Sequence, residues 1–163
     1  MMNAREYAIR AHGDQMYGYH PYVYHLDEVA NYVKSTCPFD YAVDVAYLHD
    51  VIEDTSVTYF DLLRDFGEKI ANCVLLVTDH EGKNRKERKK LTYHAMAFYS
   101  PDVNLVPLTV KLMDRYSNVK NCIETNNVGL LKMYKKEHED FKTAVYRVGL
   151  LTKYQNLLDK MLV

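Results

Sequence analysis

Gly 6 and Pro 4 are all the strong backbone breakers in 163 residues, and that scarcity constrains the fold more than any other feature. A β-sandwich or barrel needs a turn signal every 8–12 residues or so, and ten breakers cannot supply them. Apolar residues recur instead at steps of three and four, the spacing of one helix face. This spacing predicts helices over residues 3–12, 25–36, 41–52, 58–66, 69–78, 105–119, 129–136 and 141–161, with one more from the basic run to about residue 99. Asn3 and the pair Thr55-Ser56 are cap candidates, and residues 13–22 read as a loop. The stretch 72–78 has strand-like composition, but an isolated strand would leave its ladder groups unpaired, so helix is preferred. The expectation is one all-α domain over 1–163, a bundle of about eight or nine helices whose C-terminal members lie in 126–161.

Hydrophobic residues at 48% and charged residues at 26% fit a globular chain with a real core. Net charge is -1, so no overall basic field exists to hold nucleic acid. The first six residues are polar and lack the apolar stretch of a signal peptide, and no window reaches the length of a membrane span. Cys37, Cys73 and Cys122 are odd in number and widely spaced, which reads as free thiols in a reducing, cytoplasmic setting.

The densest polar cluster, His49-Asp50-Val51-Ile52-Glu53-Asp54, closes the most apolar helix, 41–52. On a continuous helix Glu53 stands at i+4 from His49 and shares its face. A lone His-Asp pair is equally the mark of a solvated helix end. Two other features add weight. His25 opens the second helix, and Asp114 sits in the apolar helix 105–119, where a carboxylate is costly unless it is paired or coordinates a metal. Arg115 is its candidate partner. Two histidines and two carboxylates suit Mn²⁺, Fe²⁺, Co²⁺ or Zn²⁺, if the fold brings them together.

Three blocks, Ala11-His12-Gly13-Asp14-Gln15…Gly18-Tyr19-His20-Pro21-Tyr22-Val23-Tyr24-His25, Leu48-His49-Asp50-Val51-Ile52-Glu53-Asp54-Thr55 and Lys111-Leu112-Met113-Asp114-Arg115-Tyr116-Ser117-Asn118, occur in order within 11–118. Together they resemble the HD-domain phosphohydrolases of the RelA/SpoT type. The resemblance implies that His25, His49, Asp50 and Asp114 hold one metal, usually Mn²⁺, and that Glu53 and Asp54 serve water activation and catalysis. It implies that Asn118 lines the nucleotide pocket, and Lys111 and Arg115 of the same block are further substrate-binding candidates. The implied reaction removes the 3′-pyrophosphate of guanosine tetra- or pentaphosphate, leaving the 5′-nucleotide. Met16 and Tyr17 stand where such hydrolases usually carry an Arg-Lys pair. Two alternatives therefore stay open: the same machinery on a nucleoside triphosphate or phosphorylated dinucleotide, and a metal-dependent nucleotide-binding module with little turnover.

Six of the eight residues 83–90 are basic, which reads as a solvated helix face or as a phosphate-attracting flap. Tyr17, Tyr19, Tyr22 and Tyr24 crowd eight residues. They are packing residues at a core edge or a wall for a purine, with Tyr22 and Tyr17 the candidates. His12 reads as a structural hydrogen-bonding residue, and His80, His94 and His138 as surface histidines.

Overall fold

The computed structural model describes residues 2–163; Met1, where the expected domain and its polar N-terminus begin, lies outside the described residues. Two compact units make up the chain, divided between Thr78 and Asp79. Among the described residues there are nine helices of eight or more residues and one isolated helical turn. The all-α expectation is met.

The first unit begins with α1 (Ala4–His12), whose start is fixed by the Asn3 side chain accepting the Glu6 amide at 2.9 Å. The expected loop contains a minimal hairpin, β1 (Met16–Tyr17) antiparallel to β2 (His20–Pro21), with Gly18 at φ +60 in its turn. Only Gly adopts that backbone at little cost. Next come α2 (Val23–Thr36), α3 (Tyr41–Leu48), the turn α4 (Val51–Asp54), α5 (Tyr59–Phe66) and α6 (Glu68–Val77). Helix α6 settles residues 72–77 as helix. The core is the apolar stripe of each helix: Leu26, Val29 and Val33 of α2 against Ala42, Val45 and Leu48 of α3, with Val74 of α6 behind. The cap of α5 is Thr58 rather than Thr55 or Ser56. Asp61 returns its carboxylate to the Thr58 amide, closing a reciprocal box.

The second unit comprises α7 (Arg85–Met96), α8 (Pro101–Glu124), α9 (Val128–Val145) and α10 (Thr152–Leu162). Proline at the first position of α8 costs no hydrogen bond, and Asn104 then departs from helical geometry just before Pro107. The regular part of α8 therefore starts about where the apolar pattern predicts. Helix α9 runs past the expected end at 136, and the break falls at 146–151, where Gly149 and Leu151 have positive φ. His138 is a correction: it is buried in α9 and its Nε2 meets the Asp159 carboxylate of α10 at 2.8 Å.

Candidate active site

The helix predicted over 41–52 is interrupted at the residues that matter most. Helix α3 ends at Leu48, and α4 restarts at Val51 after Asp50 takes φ -105, ψ -4. No glycine or proline is involved. His49 Nδ1 lies 2.7 Å from the carbonyl of Ala46, the acceptor that an unbroken helix reserves for the Asp50 amide. The ring closes α3 by bonding back onto it. Asp50 is thereby turned out of helical register, and the shared-face argument that linked Glu53 to His49 does not hold.

That bond also fixes the chemistry of the ring. With Nδ1–H donating to a carbonyl, Nε2 of neutral His49 is a lone pair, and it lies 3.0 Å from an Asp50 carboxylate oxygen. The same oxygen is 3.9 Å from Nε2 of His25, which enters from the first turn of α2. His25 is 1% and His49 3% exposed, so water screens this concentration of lone pairs poorly. Ligand atoms of the three residues lie within 4.8 Å of one another. A cluster of two buried imidazole nitrogens and a partly exposed carboxylate is the donor set of a borderline divalent cation, so a metal fits.

Around the cluster the first unit places an orienting shell. Tyr22 donates its hydroxyl to Asp50 at 2.5 Å, and the Tyr17 ring stacks on His25 at 4.7 Å and 21°. Both tyrosines, predicted to face a purine, thus engage the cluster itself. His12 Nδ1 meets Gln15 Oε1 at 2.8 Å, and Gln15 Nε2 donates to Asp54 at 2.8 Å. His12 therefore has its expected structural role. Gln15 is an aligning residue that single-residue reading missed, although it lies within the first motif block. Glu53 and Asp54 are both exposed.

In the second unit, Asp114 and Asn118 are one turn apart on α8, and the Asn118 amide donates to Asp114 at 2.6 Å. Lys111 is buried and sits 3.4 Å from Asp79, a carboxylate that also holds Lys89 at 2.6 Å. Burial pushes the Asp79 carboxyl up, but Lys111 and Lys89 outweigh it and hold the group below the usual carboxylate range. Arg115 departs from expectation as a nucleotide contact. Its guanidinium is internal, 3.1 Å from Glu137, bonded to the Tyr93 hydroxyl and stacked over Tyr134 and Phe141. Glu137, which also takes Arg85 at 2.8 Å, carried no signal in the sequence.

The described residues thus combine an almost wholly helical fold with a His/His-Asp cluster whose imidazoles are buried. No family model matches the chain. It is 28% identical over 160 residues, 98% of its length, to the guanosine-3′,5′-bis(diphosphate) 3′-pyrophosphohydrolase of Aquifex aeolicus. It is 33% identical over 103 residues, 62% of its length, to the enzyme of that name from Drosophila melanogaster. The chain spans 23% of the first protein and 55% of the second. Its fold matches that of a metazoan ortholog of SpoT that hydrolyzes ppGpp, with TM-score 0.80, 24% identity, and coverage of 97% of this chain and 90% of the other. The resemblance carried by the three motif blocks is borne out: this chain is a relative of the alarmone pyrophosphohydrolases.

Proposed function

We propose that this chain is a metal-dependent hydrolase that removes the 3′-pyrophosphate of guanosine 3′,5′-bis(diphosphate) in the cytoplasm. The observation that carries the reading is the His25–His49–Asp50 cluster, with both imidazoles buried and the His49 tautomer fixed by a carbonyl, next in sequence to Glu53-Asp54. Asp114, from the third motif block, is the fourth ligand in this reading, with Asn118 aligning its carboxylate. Bound to these residues, a divalent cation, Mn²⁺ by family resemblance, supplies Lewis acidity and countercharge for a phosphoryl group.

The chain's own groups do the rest. Glu53 takes a proton from the attacking water, whose oxygen bonds to the phosphorus attached at the 3′ position. The bond from that phosphorus to the 3′ oxygen breaks, pyrophosphate leaves, and the 3′ oxygen is protonated. Asp54, held by Gln15, assists at the same water or at the leaving oxygen. Asn118 contributes a nucleotide contact from α8 in this reading, whereas Lys111, buried and held by Asp79, supports the fold.

The exposed Met16 favours a second reading, in which the same site acts on a nucleoside triphosphate or a phosphorylated dinucleotide. Purified protein with Mn²⁺ should release pyrophosphate from guanosine tetraphosphate faster than it cleaves guanosine triphosphate or phosphorylated dinucleotides. Inertness toward guanosine tetraphosphate with good turnover of another nucleotide would overturn the substrate. No turnover of any of them would leave the nucleotide-binding module. Alanine at His25, His49, Asp50 or Asp114 should abolish bound metal and turnover together, and full metal occupancy in His49→Ala or Asp114→Ala would remove that residue from the ligand set.

A further inference from the structure

Helices α7 and α9 enclose a cavity of about 870 Å³ within the second unit. Its walls are two helical stripes. Lys86, Lys90 and His94 follow one another at four-residue steps along α7, with Tyr93 and Ala97 beside them, and α9 contributes Met133, Lys136, Glu137, Asp140 and Ala144. None of these residues belongs to the His25–His49–Asp50 cluster, to Glu53 and Asp54, or to the motif on α8.

The cations of the lining fall into two groups. Arg85 is held by Glu137 and Lys89 by Asp79, so their charges serve the fold. Lys86, Lys90 and Lys136 are exposed and have no ion-pair partner among the described residues. Like charges at i and i+4 of a helix repel, and Lys136 adds a third from the opposite wall. The other carboxylate of the lining is Asp140, one turn beyond Lys136, and it offsets one of the three. Between the lysines the groove is apolar, with Tyr93 and Ala144 nearly buried in its floor. A cationic rim over an aromatic and aliphatic floor matches a ligand that has a phosphate chain at one end and a flat base at the other. The volume lies within the range of nucleotide-sized pockets and far exceeds what a free pyrophosphate fills.

We propose that the α7–α9 groove is a second nucleotide site, which binds a nucleoside polyphosphate with its phosphate chain on Lys86, Lys90 and Lys136 and its base over Tyr93 and Met133. The basic segment therefore becomes one wall of a separate binding site, neither an idle solvated face nor a flap. The site stands whether or not the chain hydrolyses guanosine tetraphosphate.

The test uses the full chain, with guanosine 5′-diphosphate as probe and guanosine and inorganic pyrophosphate as comparison arms. Lysine acetylation read by mass spectrometry should show Lys86, Lys90 and Lys136 protected by guanosine 5′-diphosphate, in wild type and in His49→Ala alike. Calorimetry on the His49→Ala chain should give one binding event, weakened tenfold or more by Lys86→Gln/Lys90→Gln/Lys136→Gln with unchanged circular dichroism. Single Lys136→Gln should weaken it less and serves if the triple variant does not fold. Three results would each overturn the proposal: no protection of these lysines, affinity unaltered by the substitutions, or pyrophosphate binding as tightly as the nucleotide, which would make the groove an unselective anion trap.

Discussion

Three neighbours converge on the Asp50 carboxylate. Tyr22 donates to it, and both imidazoles present Nε2 toward it. A hydroxyl that donates to a ligating carboxylate sets its orientation and its charge, and loss of such a partner commonly costs about 10–100-fold in metal affinity. Tyr22→Phe should therefore weaken Mn²⁺ binding by roughly that factor while the circular dichroism spectrum stays the same. Unchanged affinity by competitive chelation would make the Tyr22 bond incidental. In the proposed mechanism Glu53 separates catalysis from binding. Glu53→Gln keeps the volume and loses the base, so metal content should be retained while turnover falls by roughly 10²–10⁴. Loss of the ion in that variant would make Glu53 a ligand, and full turnover would move the base to Asp54.

At the scale of elements, what was legible follows from what each signal depends on. Apolar spacing is local, and α1, α2, α5 and α6 lie within a residue or two of their predicted spans. The break between α3 and α4 was not legible, since residues 41–54 contain neither glycine nor proline and the interruption comes from a side chain bonding back to Ala46. Motif strings led to His25, His49 and Asp50. The alignment of Asp54 by Gln15 spans 39 residues, and the Arg85–Glu137 pair spans 52, distances that only a fold can close. The hairpin of β1 and β2 offers a test at this scale. Tyr17 is committed to the His25 ring, but Met16 is 55% exposed and tolerant of change. A charge-assisted hydrogen bond to phosphate contributes roughly 1.5–3 kcal/mol, about tenfold or more in affinity. Met16→Arg should raise kcat/KM for guanosine tetraphosphate by about that factor relative to guanosine triphosphate. Equal gains for both substrates would show general attraction of anions instead of a specific contact.

For the whole molecule, the second unit concentrates its buried charge in two clusters, and both make it sensitive to acid. Asp79 takes Lys89 and Lys111, and Glu137 takes Arg85 and Arg115. Burial alone would raise both carboxyls, yet the neighbouring cations win and each lies below its ordinary value. A carboxyl whose folded pKa is depressed binds its proton more readily in the unfolded chain. Its contribution is thus complete above the unfolded value of about 4 and is lost as pH falls through the lower, native one. Removing one partner of a buried ion pair costs about 3–5 kcal/mol, because the remaining charges keep their desolvation penalty without the compensating attraction. Asp79→Asn should therefore lower stability at pH 7 by an amount of that order, read from urea midpoints. The gap to wild type should narrow steadily below about pH 4, as the wild-type carboxyl is itself neutralised. A gap that stayed constant down to pH 2 would mean that Asp79 acts through shape and hydrogen bonding, with its charge contributing nothing to the fold.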